Sequence, residues 1–143
     1  MRSESIMSGY STVHGALRAA ERNWLGQLES ALSAENLTAD HWSMLSNLST
    51  DSGLTMSELA GRAQLPPSSA TRHADHLAER GLVFRLAAED DRRRILIGLS
   101  GLGAELVEKV RVHEQRAEAE LRAHLGARRY GDLLAALTAI ADI

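Results

Sequence analysis

Pro66-Pro67, the only two prolines of this 143-residue chain, limit what can be built around them. A proline cannot continue a helix that precedes it, so a helix opened by the capping-box sequence Thr55-Met56-Ser57-Glu58 must end near Gln64. Pro67 suits the first turn of another helix, which Gly81 would stop after Arg80. The pattern predicts two short helices joined by a tight turn.

The hydrophobic period changes after Gly81. Leu82-Val83-Phe84-Arg85-Leu86 and Ile95-Leu96-Ile97-Gly98-Leu99 are short runs of β-type composition, and the connection between them is polar and densely charged. Two such runs around a polar connection are typical of a β-hairpin. The sequence therefore predicts a hairpin whose tip carries Asp91-Arg92-Arg93-Arg94.

Amphipathic helices are predicted before this central part. The first runs from about Ser11 to Leu32, because its apolar residues recur at steps of three and four. These residues are Val13, Leu17, Ala20, Trp24, Leu28 and Leu32. Thr38 suits the N-cap of a second helix that ends near Ser49. The inner face of this second helix would consist of Trp42, Leu45 and Leu48.

Two more helices are predicted after the hairpin. Ser100 suits the N-cap of a long helix. Its apolar stripe includes Leu102, Leu106 and Val110, and a last helix after Gly126 carries Leu133, Leu134, Leu137 and Ile140. Amphipathic stripes of this kind need a partner, and the most economical partner is a second copy of the chain.

The order of these elements defines the expected fold class. It is mainly α with a small β-hairpin, a winged helix-turn-helix flanked by N- and C-terminal dimerisation helices. We expect an N-terminal dimerisation helix in residues 1–36, a DNA-binding lobe in 37–100 and C-terminal dimerisation helices in 101–143. The three parts would together form a single domain.

Composition excludes several classes of function. The chain has no cysteine, which excludes disulfides, thiolate metal sites and thiol-based redox switches. Its apolar runs are too short to span a bilayer and its N-terminus lacks the apolar stretch of a secretory signal, so we expect a cytoplasmic protein with no membrane partner. The sequence contains no phosphate-binding glycine loop, serine elbow or His-Glu-x-x-His motif, and we therefore expect that the protein is not an enzyme.

The six histidines invite a metal interpretation that their spacing does not support. No two of them stand four residues apart, and no cysteine is available to complete a tetrahedral site. His73 and His76 lie on the helix that begins at Pro67, and His41 next to Trp42 is typical of helix packing. We therefore expect neither a metal site nor a cofactor.

Three segments, 54–60, 67–72 and 77–83, are similar to a known protein family, and the predicted hairpin, the wing, strengthens this resemblance. Asp91-Arg92-Arg93, followed by Leu99-Ser100 and then Gly103, is similar to an Asp-Arg-Arg, Leu-Thr, Gly pattern. Together these residues resemble the MarR family of bacterial transcriptional regulators. Two positions depart from the family pattern: Ser100 replaces a threonine, and His73 stands where an apolar residue is common.

The helix that begins at Pro67 has two different faces. Ala70, Ala74 and Leu77 suit packing inward, whereas short hydroxyls and an arginine near the helix N-terminus suit a reader of the DNA major groove. Arg72 can bind guanine O6 and N7 together. The predicted DNA contacts on this helix are Pro67, Ser68, Ser69, Thr71, Arg72 and His76.

The wing tip concentrates positive charge on a chain whose net charge is −3. A hairpin tip of this kind suits the DNA minor groove, where the negative potential attracts arginine. The resemblance implies that an arginine of the tip enters the groove and that the aspartate braces the loop. We assign Arg92 and Arg93 to the groove, Asp91 to the brace and Arg94 to a backbone contact. A solvated loop tip is the alternative.

The resemblance implies a homodimeric repressor that binds double-stranded DNA at a palindromic operator. A winged-helix module that binds protein and no DNA is the alternative. Three consecutive arginines favour the DNA-binding interpretation, because a protein-binding wing does not need them.

The resemblance also implies that a small aromatic or carboxylate effector, often phenolic, releases the DNA. Its cleft would be lined by the first helix, the second helix and the start of the long helix after the wing. Arg18 or Arg22 would pair with a carboxylate, and His14 or Trp42 would stack on a ring. Alternatively, Trp42 belongs to the core and the two arginines to an exposed surface.

Overall fold

The computed structural model describes residues 9–143, which form α-helices and a small antiparallel sheet. The helices are α1 (Val13–Ala34), α2 (Ala39–Leu45), α3 (Met56–Ala63), α4 (Pro67–Glu79), α5 (Gly101–Leu125) and α6 (Ala127–Ala141). The strands are β1 (Leu54–Thr55), β2 (Val83–Ala87) and β3 (Ile95–Leu99). Residues 1–8 of the predicted N-terminal region 1–36 lie outside the described residues.

Side-chain caps open the helices where the sequence predicts them. Thr55 and Glu58 form the expected capping box of α3: the Thr55 hydroxyl accepts from the Glu58 N–H at 3.2 Å, and the Glu58 carboxylate accepts from the Thr55 N–H at 3.0 Å. Ser100 caps α5 by accepting from the Gly103 N–H at 2.9 Å, and its hydroxyl donates to the Gly81 carbonyl at 2.6 Å. This second bond joins the start of α5 to the end of α4.

α4 has the expected boundaries. Pro67 occupies its first turn, Arg80 is the C-cap, and Gly81 takes a positive φ of 74°. Such a φ is costly for a residue with a Cβ, so glycine suits the position where the helix gives way to β2.

α2 is shorter than the prediction. It ends at Leu45, not near Ser49. The side-chain amide of Asn47 donates to the Ser43 carbonyl at 2.7 Å, and the backbone N–H of Leu48 donates to the Leu45 carbonyl three residues back. These bonds replace the last helical turn by tighter turns, yet the predicted inner residues are still buried.

The sheet has three strands, where the sequence predicts a two-stranded hairpin. β2 and β3 pair from Val83 with Leu99 to Ala87 with Ile95, and β1 adds to the other edge of β3 by pairing Leu54 with Ile97. β1 has only two residues, so it carries no alternation that a sequence pattern could register. It anchors the N-terminus of α3 to the base of the wing.

The core draws on both the central lobe and the flanking helices. Its fully buried large side chains are Leu28, Met44, Leu45, Leu59, Leu77, Ile97 and Val110. The predicted stripe of α1 is buried only in its second half, because Leu28 and Leu32 are covered while Val13 and Leu17 are exposed. On α5, Leu106 and Val110 are buried, but the predicted inward residue Leu102 is exposed.

The last helix has no buried side chain. Leu134, Leu137 and Ile140 of its apolar stripe remain between 39% and 49% exposed. Within residues 9–143, no helix combines the length and the apolar character that crossing a membrane requires. The apolar stripes of α6 and of the first half of α1 therefore lack cover within one chain.

The first turn of α5 provides a test of this packing. A Cβ added to Gly103 would collide with the backbone carbonyl of Leu82 and with Leu99 Cδ1, whereas a Cβ on Gly101 would meet no atom within 4 Å. We expect Gly103→Ala to lower the free energy of unfolding by about 2 kcal/mol, because overpacking against backbone cannot relax cheaply. Gly101→Ala should change it by less than about 1 kcal/mol in either direction.

Urea denaturation of both variants and the unmodified chain at one protein concentration measures the difference. Equal effects of the two substitutions would show that the contact between α5 and Leu82 is looser than described.

Candidate nucleic-acid interface

α4 separates its side chains into a buried face and an exposed polar face. Ala70, Ala74 and Leu77 have no exposed area, as the sequence pattern predicts. Ser69 is half-buried at the edge of the polar face. The exposed residues predicted to contact DNA are Pro67, Ser68, Thr71, Arg72 and His76.

The N-terminus of α4 is open to a ligand. No side chain caps it, since Pro66 occupies the N-cap position. The Thr71 hydroxyl donates to the Pro67 carbonyl at 3.0 Å, which turns its lone pairs outward as acceptors. Among residues 9–143, Arg72 forms no ion pair. Free N–H groups beside an unpaired arginine suit a phosphate or the edge of a base.

The wing tip is shaped by its two aspartates. Asp91 Oδ1 accepts from the Arg93 backbone N–H at 3.0 Å and lies 3.7 Å from Arg93 Nε. The Asp91 carbonyl accepts from the Arg94 N–H at 3.0 Å. Asp90 lies 3.4 Å from Arg94 Nη1. Asp91 thus closes the turn through the backbone, and the Arg93 side chain stays 95% exposed.

An ion pair that the sequence analysis missed joins the wing to α4. Arg85 of β2 contacts Asp75 of α4 through its guanidinium. The two residues are ten apart, and their contact depends on how the sheet packs against the helix, so no local pattern indicates it. The pair fixes the wing relative to the exposed face of α4.

Three histidines meet behind the exposed face of α4. The ring of His41 on α2 is stacked on that of His76, with centroids 5.0 Å apart, and meets that of His73 edge-on at 4.9 Å. His73 Nε2 lies 3.6 Å from Asp40 Oδ2. Burial, together with the nearby His73, His76 and Arg80, lowers the pKa of His41 to about 4. The predicted packing role of His41 is visible here, but its contacts with α4 were not predicted.

Arg80 ties the end of α4 to the connection between α1 and α2. Its guanidinium donates to the carbonyls of Asn36 and Glu35, both at 2.8 Å. Asn36 has a φ of 54°, a left-handed conformation that asparagine tolerates. These two hydrogen bonds hold the connection against the end of α4.

A hollow of about 770 Å³ lies along α1 and the connection to α2. Arg18 and Arg22 line it together with Leu25, Leu37 and Thr38. The start of α5, which the sequence analysis placed in the ligand cleft, does not contribute to its lining.

The other two candidate ligand residues lie elsewhere. Trp42 is buried in the core, and its indole N–H donates to Glu114 on α5 at 3.0 Å. His14 is exposed one turn before Arg18, and it does not line the hollow. The part of the chain from residue 9 onward contains no group of three His, Asp or Glu side chains arranged to hold a metal ion.

Two helices joined by a tight turn, a polar exposed helix and an arginine-tipped hairpin define a winged helix-turn-helix DNA-binding protein. A family model described as the MarR family matches residues 35–94. The uncharacterized HTH-type transcriptional regulator YhbI of Bacillus subtilis (strain 168) is 29% identical over 119 residues, which cover 83% of this chain and 77% of that protein.

Solved structures agree with this match. The structure of NadR in complex with 4-hydroxyphenylacetate has a TM-score of 0.84 at 25% identity and covers 94% of this chain and 95% of that chain. The MepR–DNA complex of S. aureus has a TM-score of 0.81 at 22% identity, with coverages of 93% and 98%. The chain matches the MarR family over residues 35–94, and its fold and these relatives are those of DNA-binding transcriptional regulators. The fold and the family expected from the sequence are confirmed.

Proposed function

We propose that the chain is a homodimeric repressor, without catalytic activity, that binds a palindromic operator and is released by a small phenolic or carboxylate effector. It would act in the cytoplasm, together with the DNA it binds. The observation that carries the proposal is a single surface that combines the exposed face of α4 with the arginines of the wing. The ion pair between Arg85 and Asp75 joins these two parts.

On this surface α4 would lie in the major groove. Arg72 would bind guanine through its two parallel donors, since its guanidinium is exposed and unpaired within residues 9–143. The residues proposed to support it through hydroxyl, imidazole and helix N-terminal contacts are Pro67, Ser68, Ser69, Thr71 and His76. The open helix N-terminus favours a phosphate next to them.

The wing would lie over the adjacent minor groove. Arg92 and Arg93 would enter it, because both side chains are exposed and Asp91 fixes the turn between them through the Arg93 N–H. Arg94, held near Asp90, would contact the DNA backbone. The MepR structure was solved as a DNA complex, which supports this use of the fold.

A second copy would cover the exposed apolar stripes of α1 and α6, in the regions 1–36 and 101–143 proposed for dimerisation. Leu134, Leu137 and Ile140 give α6 an apolar face that its own chain leaves open. A two-fold axis would place the two copies of α4 about 34 Å apart, one turn of DNA, which calls for a palindromic operator.

The effector would occupy the hollow beside α1. Arg18 and Arg22 can pair with a carboxylate, and Leu25 and Leu37 offer apolar contact to a ring. NadR, of similar fold, was solved with 4-hydroxyphenylacetate, a molecule that carries both a phenol and a carboxylate. His14, exposed one turn before Arg18, would stack on such a ring, whereas the buried position of Trp42 favours a role in the core.

DNA binding is tested with the tightest palindromic duplex selected in vitro from genomic fragments. We expect Arg92→Ala with Arg93→Ala to weaken binding by about a hundredfold, because each arginine contact contributes about 1–3 kcal/mol. The slope of log affinity against log salt should fall by about two, one counterion for each arginine. Fluorescence anisotropy at several salt concentrations measures both.

The matched control is Arg128→Ala with Arg129→Ala, which removes the same charge from two consecutive exposed arginines of α6. Its affinity should stay within about threefold of the unmodified chain, because distant charge acts only through the overall field. Wing variants that bind as tightly as this control would favour the protein-interaction module.

The dimer is tested by charging the open face of α6. Leu137→Glu should shift the chain from dimer to monomer, because an unpaired carboxylate cannot be buried in an apolar interface. Leu86→Glu changes a leucine of similar exposure on the wing, outside the proposed interface, and should leave the dimer intact. Light scattering after size-exclusion chromatography distinguishes the two states. A monomeric unmodified chain would contradict the proposal.

Effector release is tested by adding 4-hydroxyphenylacetate, phenylacetate or phenol to the protein–duplex complex. Loss of anisotropy with the carboxylates is expected. Arg18→Ala with Arg22→Ala should raise the concentration needed by about tenfold or more, since a charge-assisted bond contributes about 1.5–3 kcal/mol. The α6 arginine variant should respond like the unmodified chain. Release that is indifferent to Arg18 and Arg22 would place the effector elsewhere.

A further inference from the structure

The histidine cluster of His41, His73 and His76 has no part in the DNA contacts proposed above, except that His76 also reaches the exposed face of α4. His41 is 7% exposed and lies between α2 and α4, with both other rings about 5 Å from its own. Among the buried side chains of residues 9–143, His41 is the polar one. Its ring contacts two rings of α4, the recognition helix.

Hydrogen bonding requires His41 to be neutral at Nδ1. This nitrogen accepts from the Thr38 N–H at 3.1 Å, while the Thr38 hydroxyl accepts from the His41 N–H at 3.2 Å. The pair is a capping box in which an imidazole takes the place usually held by Glu or Gln. A proton on Nδ1 would remove the acceptor and open the cap of α2.

The charged and titratable groups around His41 come from both α2 and α4. From α4, His73, His76 and Arg80 face it, and from α2 only Asp40 offers a negative charge. Arg80 cannot turn away without losing its bonds to the Asn36 and Glu35 carbonyls. Asp40 lies 3.6 Å from His73 Nε2. A proton on His41 would lie beside the Arg80 guanidinium, with Asp40 as the one carboxylate acting on it among residues 9–143.

We propose that His41 is a positioning residue for α4, and that protonation of His41 weakens operator binding as the pH falls. Like charges on α2 and α4 would push α4 away from α2 and change the angle at which its exposed face enters the groove. The inference rests on the proposed operator contacts of α4.

The lowered pKa of His41 gives the sign of the effect. A base whose pKa is about 4 in the docked state and 6.5 when released binds more protons when released. The stability of docking is therefore complete above pH 6.5 and is lost as the pH falls towards 4. By this linkage the docking equilibrium constant drops about tenfold between pH 7.5 and pH 5.5.

The experiment compares pH profiles of binding to the selected palindromic duplex at fixed ionic strength. The affinity of the unmodified chain should fall from pH 7.5 to pH 5.5, by at most the roughly tenfold loss in the docking constant, because only the docked fraction binds. Simple gain of positive charge on histidines would give the opposite sign, because it strengthens binding to phosphate. An affinity that stays constant or rises on acidification overturns the proposal.

His41→Gln is the informative variant. Glutamine at this position restores the usual capping box and cannot titrate, so its affinity should change by less than about threefold over the same range. His124→Gln, at an exposed position near the end of α5, is the matched control and should follow the unmodified profile. A His41→Gln profile as steep as that of the control overturns the proposal.

A measurement without DNA separates this inference from the proposed function. Urea unfolding of the three proteins at pH 7.5 and 5.5 should show a folding constant that falls about tenfold more for the unmodified chain than for His41→Gln. If no duplex binds at pH 7.5, the proposed operator contacts fail, and the unfolding data still decide whether His41 is the titrating group. Equal pH dependence of the three proteins overturns its role.

Discussion

The position of α4 on the core depends on three side chains that pack closely beneath it. Ala70, Ala74 and Leu77 are completely buried, and the two alanines let the helix axis approach the core closely. A larger residue at either alanine would lift the helix and tilt its polar face. Because the buried face is narrow, most other positions of α4 are free to be polar, and the helix can serve as a reading surface without exposing apolar area.

The wing and the segments next to α4 are held in place by polar contacts. The wing is fixed at two points: the Arg85–Asp75 ion pair near its middle, and the Ser100 hydroxyl that joins the start of α5 to the Gly81 carbonyl at its base. On the other side, Arg80 and His41 connect α4 to the connection between α1 and α2 and to α2 itself. The polar contacts thus lie at the ends and edges of a helix whose centre is held by apolar packing.

Local chemistry explains which parts of this arrangement could be predicted from the sequence. The capping box at Thr55, the stop at Gly81 and the hairpin around residues 87–94 depend on neighbours a few residues away, and the structure has all three. The end of α2 was placed too far along the chain, because turns that tighten a helix use the same residue types as the helix itself.

What was missed depends on contacts between distant segments. β1 exists only because β3 offers it an edge, and Arg85 meets Asp75 only once the sheet lies on α4. The exposed polar residues of α4 were foreseen because their pattern is periodic, and those of the wing because a charged run separates two β-type runs. The aromatic ring of Trp42 suits stacking on a ligand. Its hydrogen bond to Glu114 across the core depends on the tertiary structure, which the sequence pattern does not indicate.

The short connection between α1 and α2 is where these distant contacts converge. Leu37 and Thr38 line the hollow that holds Arg18 and Arg22, while the carbonyls of residues 35 and 36 bind Arg80 at the end of α4. The Thr38 N–H is the donor that requires a neutral His41. An effector in the hollow and a proton on the cluster would therefore act on the same few residues. On the two proposals above, either signal would act on α4 through this one connection.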